Sequence, residues 1–280
     1  MTLRLAPATS RSSIGLASAK RFMPQLQHRS LKYEYELYVE REIEDYKDSI
    51  PRSAILSIGD EAVARLRSQE QVAFDELVLW DEVDRIITSR LRIPAYSTWK
   101  RRRLKLLAEY RRPEHWGMGP DAPLVRAILP SAESHVLVSG SRVSESTLYL
   151  AANGCTVTAV GDAEDEVERV MSAAEAVGLA RKVNAFVSPL SEWAPNGPLT
   201  AVVCSPAAFA GLSGSDRARV IEVLKSATLD GGVHLVETIV AGQTTLTIEE
   251  LRTQYRGWSI SVEREDSSAP TFLARKSATS

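Results

Sequence analysis

The sequence is poor in cysteine, in aromatic residues and in long apolar runs, and each shortage excludes a class of protein. Its 280 residues include only 2 Cys and 6% aromatic residues. Cys155 and Cys204 lie in separate apolar stretches, which excludes a disulfide framework and a zinc site built on paired cysteines and favours a reducing compartment. The longest apolar runs, such as 233–240, are far shorter than the ~20 residues that cross a bilayer. A membrane-spanning protein is therefore not expected.

An excess of either charge is also missing. The 34 basic and 36 acidic side chains leave a net charge of -2, and 44% of the residues are apolar. This composition is typical of a soluble globular protein, and it creates no overall field that demands a nucleic acid as partner. At roughly 100 to 200 residues per domain, the length predicts one large domain or two smaller ones.

Residues 1–32, here called the basic arm, contain no Asp or Glu and show little periodicity. Their basic side chains are Arg4, Arg11, Lys20, Arg21, Arg29 and Lys32. Ordering such a segment costs roughly 1 to 2 kcal/mol per residue, which some surface must return. We expect an extended arm held by another protein subunit or by an anionic membrane surface. The alternatives are a strap over its own domain and an organelle transit peptide, which has a similar composition.

The region 33–120 is predicted to be helical. Residues 33–50, the acidic helix, carry apolar side chains at spacings of three and four, the mark of an amphipathic helix. Further helical periodicity covers 53–68 and 72–91. Tyrosine at such spacing usually packs against neighbouring helices, but it is also enriched at protein interfaces. Candidate partner-binding residues are therefore Tyr35 and Tyr38, together with Arg4, Arg11, Lys20, Arg21 and Arg29 of the basic arm.

Residues 96–113 form a second charged helix, the basic helix. Its cations are Lys100, Arg101, Arg102, Arg103, Lys105, Arg111 and Arg112, against the single acid Glu109. Such a helix either anchors phosphate, anionic lipid or nucleic acid, or has a solvated face that pairs with the acidic helix. We favour the solvated face. Nucleic acid is the least favoured partner, because aromatic residues that could stack on bases are sparse.

From about residue 121 apolar strands alternate with helices. The predicted strands cover 136–139, 156–160, 183–187, 199–204, 233–240, 258–263 and 271–275, and the predicted helices cover 144–153, 164–177, 216–228 and 248–255. Alternation of this kind indicates a parallel sheet covered on both faces, and the closing hairpin adds antiparallel strands. The domain 121–280 is therefore predicted as an α/β fold with a doubly wound, seven-stranded, mostly parallel sheet.

Several segments of this domain resemble the class I S-adenosylmethionine-dependent methyltransferases. Residues 148–160 (LYLAANGCTVTAV) are similar to the first helix, turn and second strand of that family, and 229–236 (LDGGVHLV) to the turn that opens its fifth strand. Residues 247–258 and 272–276 resemble its last helix and hairpin. The resemblance covers about 121–276 and implies a methyltransferase-like Rossmann fold.

The cofactor motif of that family is degenerate in this chain. Where the family has acid-x-Gly-x-Gly-x-Gly, residues 138–144 read VSGSRVS, so that Gly140 is retained while Val138, Arg142 and Ser144 replace the other positions. The ribose-binding acid aligns with Gly161, one residue before Asp162. If the chain is active, the resemblance implies that Gly140, Asp162 and Ser205 hold S-adenosylmethionine.

These divergences favour a protein that binds no cofactor and has lost catalysis. We expect an accessory or scaffold subunit of a larger protein complex, cytoplasmic and peripheral to a respiratory or photosynthetic membrane complex by analogy with other methyltransferase-like proteins. The alternative is an active methyltransferase with an atypical pocket, closed by residues 114–119 and using His115 as a base. His135 and His234 are expected to be structural, and no catalytic or metal-binding constellation is predicted.

Overall fold

The computed structural model describes residues 20–22, 30–68, 75–140, 143–237, 246–263 and 270–278. Two compact units result, one formed by Gln25–Ala108 and the other by Met1–Pro24 with Glu109–Ser280. The chain thus passes into the second unit at residue 109, whereas the sequence predicted a change of structure near residue 120. None of the described helices is both long and apolar enough to span a membrane.

The first unit consists of helices, as predicted. They are α1 (Leu31–Ser49), α2 (Arg52–Ser68), α3 (Glu76–Leu91) and α4 (Tyr96–Tyr110), whose last two residues belong to the second unit. The Ser30 hydroxyl accepts a hydrogen bond from the Tyr33 amide at 3.2 Å, and the Asp75 carboxylate accepts one from Val78 at 2.9 Å. These side chains satisfy amide groups that a helix leaves unpaired at its start, and so fix where α1 and α3 begin.

The core of the helical unit is small and aliphatic. It is formed by Ile43 of α1, Ile58 and Ala62 of α2, and Val83, Ile86 and Ile87 of α3. Their spacing of three and four residues places them on the inner face of each helix. The acidic helix is α1, and the basic helix is α4.

The second unit is built on one sheet of eight strands. These are β1 (Lys20–Phe22), β2 (His135–Ser139), β3 (Thr156–Gly161), β4 (Val183–Val187), β5 (Leu199–Cys204), β6 (Thr228–Glu237), β7 (Ser259–Glu263) and β8 (Thr271–Arg275). Their order is β1-β4-β3-β2-β5-β6-β8-β7. Strands β4, β3, β2, β5 and β6 are parallel neighbours, and the hairpin β7–β8 joins β6 antiparallel. The doubly wound, mostly parallel sheet predicted from the sequence is confirmed.

One strand was not predicted. Residues of the basic arm form β1, which pairs antiparallel with the edge strand β4 and sets Lys20 opposite Val187. Three residues of the basic arm therefore belong to the sheet, whereas the sequence predicted an arm without secondary structure of its own. A strand of three residues is too short to show the alternation of apolar and polar side chains by which strands are recognised. Arg4, Arg11 and Arg29 lie outside the described residues.

Helices cover both faces of the sheet. They are α5 (Pro123–Ala127), α6 (Val143–Ala152), α7 (Glu164–Ala176), α8 (Gly214–Ala227) and α9 (Ile248–Gln254). Val136 and Val138 of β2 point into the core under α6 and α7, while Leu137 points into the core under α8 and α9. Because the parallel strands run in one direction, their carboxyl ends lie along a single edge of the sheet, where α/β proteins bind ligands.

Candidate functional site

The candidate site is a cavity of about 180 Å³ at the carboxyl edge of the sheet. Its walls come from the segments that follow β2, β3, β4 and β5. The described lining includes Gly140, Gly161, Asp162, Glu166, Ser188 and Ala208. The structure therefore brings together two of the predicted cofactor-binding residues, Gly140 and Asp162.

Gly140 is packed tightly against the turn that follows β5. Its φ is +104°, and a Cβ at this position would collide with the Ser205 hydroxyl and lie 3.0 Å from the Ala208 amide nitrogen. Only glycine tolerates both the backbone conformation and the close approach. Ser205, the third predicted cofactor residue, is 4% exposed and is not among the described cavity-lining residues.

The turn behind Gly140 is firmly anchored. The Ser205 amide donates to the Ser139 carbonyl at 3.0 Å, and residues Pro206–Phe209 then form a single 3₁₀ turn. Phe209 is 1% exposed and packs in the core under α8 and α9. The crevice between the ends of β2 and β5 is the place where a doubly wound sheet usually admits a ligand, and here this turn fills the β5 side of it.

Two carboxylates form the opposite wall. Asp162 follows β3 and is exposed, and Glu166 lies four residues later in the first turn of α7. Burial raises the pKa of Glu166, and the negative charge of Asp162 raises this pKa further, while Arg169 opposes both effects. A pair of acids beside a cavity can accept hydrogen bonds from the hydroxyls of a sugar or attract a cation.

The described residues match S-adenosylmethionine only at its nucleoside half. Asp162 and Glu166 offer acceptors for ribose hydroxyls, as the family resemblance implies for an acid after β3. At the position of the acid before the glycines, Val138 is 2% exposed and its side chain is part of the hydrophobic core. The cavity is also smaller than the ~300 to 1,000 Å³ typical of small-molecule pockets. Residues 141–142 of the motif lie outside the described residues.

The loop predicted to close the pocket lies elsewhere. Residues Pro113–Trp116 form a 3₁₀ turn, and the Trp116 indole donates to the Tyr110 carbonyl at 2.7 Å. Just before the turn, the Arg111 side chain donates to the carbonyl of Ala152, the last residue of α6. Helix α6 starts at the carboxyl edge and ends at the opposite one, so the prediction that 114–119 covers the cavity was wrong.

His115 is consequently not placed as a base for chemistry in the cavity. Its ring packs edge-on against Tyr110 and Trp116, with centroids 4.9 Å and 4.7 Å apart. Among the described residues, no group of three or more His, Cys, Asp or Glu side chains could hold a metal ion.

His234 of β6 belongs to a buried network of hydrogen bonds, and it is not among the described cavity-lining residues. The Thr228 hydroxyl donates its hydrogen to the Leu224 carbonyl at 2.7 Å, so it must accept from His234 Nε2, also at 2.7 Å. His234 Nδ1 then accepts from the Tyr255 hydroxyl at 2.7 Å. Burial, followed by the charges of Lys225 and Lys276, lowers the pKa of His234 to about 3. The expectation of a structural role for His234 agrees with this network.

The predicted partner-binding tyrosines belong to an aromatic cluster within the helical unit. The Tyr35 hydroxyl donates to the Pro94 carbonyl at 2.9 Å, and its ring lies 5.4 Å from Tyr96 and 5.5 Å from Trp99. Tyr38 lies 6.2 Å from Trp99. These contacts explain the spacing of both tyrosines by packing, and their binding of a partner stays a prediction.

Sequence reasoning missed Glu166 and the turn at Ala207 and Ala208. The first had a signal, because Asp162 and Glu166 are four residues apart at the start of a predicted helix and so share a face. The second had a weaker one, because residues 204–209 (CSPAAF) follow a predicted strand and so belong to the edge where α/β proteins bind ligands.

Comparison with known proteins gives no relative at the level of sequence: no protein family matches the chain, and no curated protein does. Solved structures match part of it. TehB from Haemophilus influenzae is 19% identical with a TM-score of 0.47, over 57% of this chain and 62% of that one. The match thus spans less than two thirds of TehB.

Two further structures show the same kind of likeness. A S-adenosylmethionine-dependent O-methyltransferase from Thermotoga maritima is 15% identical with a TM-score of 0.47, over 62% of this chain and 72% of that one. The magnesium protoporphyrin IX methyltransferase of Synechocystis PCC 6803, with bound S-adenosylmethionine, is 15% identical with a TM-score of 0.44, over 65% and 81%. All three are likenesses of part of this chain, at TM-scores below 0.5. At these identities the likeness concerns the fold alone.

Proposed function

We propose that the α/β unit is a methyltransferase-like domain that has lost methyl transfer, and that the chain serves as an accessory subunit that binds other proteins. One observation supports the loss of methyl transfer: the turn after β5 fills part of the crevice between the ends of β2 and β5. Ser205 and Ala208 press against Gly140 at the junction of β2 and β5. The described cavity of about 180 Å³ is below the usual range of small-molecule pockets, which supports the loss of cofactor binding.

Calorimetric titration of the whole chain with S-adenosylmethionine, and separately with S-adenosylhomocysteine, tests the loss of cofactor binding. We expect no binding tighter than about 1 mM, which corresponds to roughly -4 kcal/mol. A dissociation constant near 1 μM, roughly -8 kcal/mol, would contradict the proposal. A cooperative thermal unfolding transition of the same sample shows that a missing signal is not caused by unfolded protein.

The variant Arg142→Gly is a matched probe of the same idea, because it restores one glycine of the family motif. If the degenerate motif is what prevents binding, this variant binds S-adenosylmethionine more tightly than the parent chain. Equal affinity of the two proteins would show that Arg142 is not the obstacle.

The accessory role is supported by the charge of the basic arm. Because Lys20–Phe22 form β1, a truncation meant to test docking should remove residues 1–19 and keep this strand. We expect the 1–19 deletion to release the proteins that co-purify with the full chain, to the same extent as high salt does, without a change in thermal stability. Retention of those proteins by the truncated chain would contradict a docking role.

The second candidate function is an active methyltransferase, and the acid pair favours it. Asp162 and Glu166 face a cavity after β3, where a ribose would bind in this fold. In that case the chain binds S-adenosylmethionine, and Asp162→Ala weakens the affinity at least tenfold, about 1.4 kcal/mol. The partly exposed acid Asp216 on α8 is not in the described cavity lining, so Asp216→Ala is the control.

A further inference from the structure

The exposed face of α4 is rich in cations, one of which, Lys100, lies 6.0 Å from the centre of the Tyr96 ring. Lys100, Arg101, Arg102 and Lys105 are all exposed, and none forms an ion pair with a described acid. The acidic helix α1 contributes one described ion pair to α4, between Glu34 and Arg103 at 3.7 Å. The predicted pairing of the two charged helices therefore leaves most of the basic charge unmatched.

These cations do not stabilise the helix either. Lysine and arginine help a helix at its last turn, where they complement the helix dipole, but Lys100–Lys105 lie in the middle of Tyr96–Tyr110. Arg101 and Lys105 are four residues apart, a spacing at which like charges repel by roughly 0.2 to 0.5 kcal/mol. The repulsion between these cations therefore slightly destabilises the helix.

Two exposed leucines accompany the cations. Leu104 is 47% exposed and Leu106 is 40% exposed. At about 100° per residue, Lys100, Leu104, Arg101 and Lys105 fall in that order around a stripe about 140° wide, with Arg102 and Leu106 beyond its far margin. The opposite side of α4 packs within the helical unit through Trp99, whose ring lies 5.5 Å from that of Tyr35.

We propose that this stripe of α4, formed by Lys100, Arg101, Leu104 and Lys105, binds the surface of an anionic phospholipid bilayer. The cations attract the negative headgroups, and the Leu104 side chain enters the boundary between headgroups and acyl chains, which is the combination found on interfacial helices. This surface is distinct from the α/β unit and goes beyond the proposed function.

Lipid fits this surface better than a nucleic acid does. The neighbouring aromatic rings are engaged with one another: Trp99 lies 6.2 Å from Tyr38 and 6.4 Å from Tyr96. They are not available to stack on bases. The exposed Leu104, which lies between Lys100 and Arg101 on the stripe, gains nothing from a phosphate backbone, whereas a bilayer accepts it.

Binding of the full chain to vesicles tests the proposal. The vesicles contain phosphatidylcholine with about 30% phosphatidylserine, or phosphatidylcholine alone, in about 0.1 M salt. We expect binding only to the anionic vesicles and a loss of binding as the salt concentration rises. Equal binding to both kinds of vesicle, or to neither, would overturn the proposal.

Substitutions locate the binding to α4. Each cation near an anionic membrane contributes roughly 1 kcal/mol, so Arg101→Gln with Lys105→Gln should weaken binding by about 25-fold. The control Arg52→Gln with Arg67→Gln removes the same charge from exposed positions on α2 and should change binding less than about twofold. If the two double variants bind alike, the basic arm or the net charge is responsible and α4 is not the site.

A third variant separates binding from folding. Arg101→Glu replaces a repulsion with an attraction to Lys105, so the urea midpoint of unfolding should stay equal or rise. Vesicle binding of the same protein should fall at least as far as that of the double glutamine variant. A lower midpoint would show that Arg101 has a structural role. Tighter binding of a DNA duplex, in competition with vesicles, would replace lipid by nucleic acid as the occupant.

Discussion

Two polar sites of the α/β unit differ in how completely their charges and hydrogen bonds are satisfied. Around His234 each ring nitrogen has a partner, and the histidine is fully buried. At the cavity, Asp162 and Glu166 repel each other, and the pKa of Glu166 is raised by burial and by that repulsion. The hydrogen-bonding groups of His234 are thus satisfied inside the protein, whereas the carboxylates of Asp162 and Glu166 line a cavity.

This difference separates a structural polar group from a functional candidate. Buried polar groups that find partners fix the packing of a core, whereas unmatched charge beside a cavity lowers stability unless a ligand binds there. If this difference holds, substitutions around His234 change stability most, whereas substitution of either acid at the cavity changes the pKa of the other with little effect on stability.

The largest effect is expected for His234→Ala. Removing the ring leaves a cavity in the core and deprives the buried Tyr255 hydroxyl of its described partner, so the free energy of unfolding should fall by about 3 kcal/mol. Urea denaturation measures this loss. His135→Ala is the control, because the partly exposed His135 side chain has one described partner, Thr158, and should cost less than about 1 kcal/mol. Similar losses in the two variants would contradict a special structural role for His234.

The next largest loss of stability is expected for a substitution in the wall of the cavity. Gly140→Ala suffers both from φ of +104° and from the collision with Ser205, so it should destabilise the protein by about 2 kcal/mol. Gly154→Ala has the same kind of strain, with φ of +101°, but no atom near the added Cβ, and should cost about 1 kcal/mol. Thermal or urea unfolding of both variants isolates the contribution of the tight packing.

The double variant Gly140→Ala with Ser205→Ala tests the cause. Because it removes the colliding hydroxyl, it should recover part of the loss seen in Gly140→Ala. No recovery would mean that the Ala208 amide or the Cβ of residue 205, and not the Ser205 hydroxyl, sets the limit on space.

The α/β fold was predictable because its signals are local and repeated. Apolar strands such as 156–160 and 199–204 are separated by helices of the expected length, and both faces of each strand are buried. The edge strand β1 was not predictable, since Lys-Arg-Phe forms a strand only through its backbone pairing with β4. Such pairing leaves no pattern in three residues.

The site was predictable only in part, for a related reason. Gly140 and Asp162 were found because they follow predicted strands, and residues after parallel strands meet at one edge. That Ser205 lies behind Gly140, and that residues 114–119 lie at the opposite edge, depends on how turns pack in three dimensions. Spacing along the chain carries no information of that kind.

The pH dependence of stability should show the next smaller effect. The pKa of His234 is about 3 in the folded protein and ordinarily 6.5, so the unfolded chain takes up a proton first as the pH falls. Stability is then fully present above pH 6.5 and declines toward pH 3, with a loss of about 1 kcal/mol between pH 7 and 5.5. Urea midpoints at several pH values measure this slope.

His234→Gln should lack that slope, whereas His135→Gln should keep it. This pair matters because it tests the neutral state of His234 independently of the size of its packing contribution. The same slope in both variants would assign the effect to other groups and would weaken the case for a closed network.

The smallest effect on stability, a gain of a few tenths of a kcal/mol at pH 7, is expected for Asp162→Asn. The variant removes the charge that repels Glu166, so the pKa of Glu166 should fall toward its ordinary value while burial still holds it above that value. Titration of the Glu166 carboxyl carbon by NMR measures the change. Asp165→Asn is the control, because Asp165 acts on Glu166 less strongly than Asp162 does and should lower the pKa less. An unchanged pKa in Asp162→Asn would show that the two acids at the cavity do not interact, and the cavity would then lose the unmatched charge that distinguishes it from the network around His234.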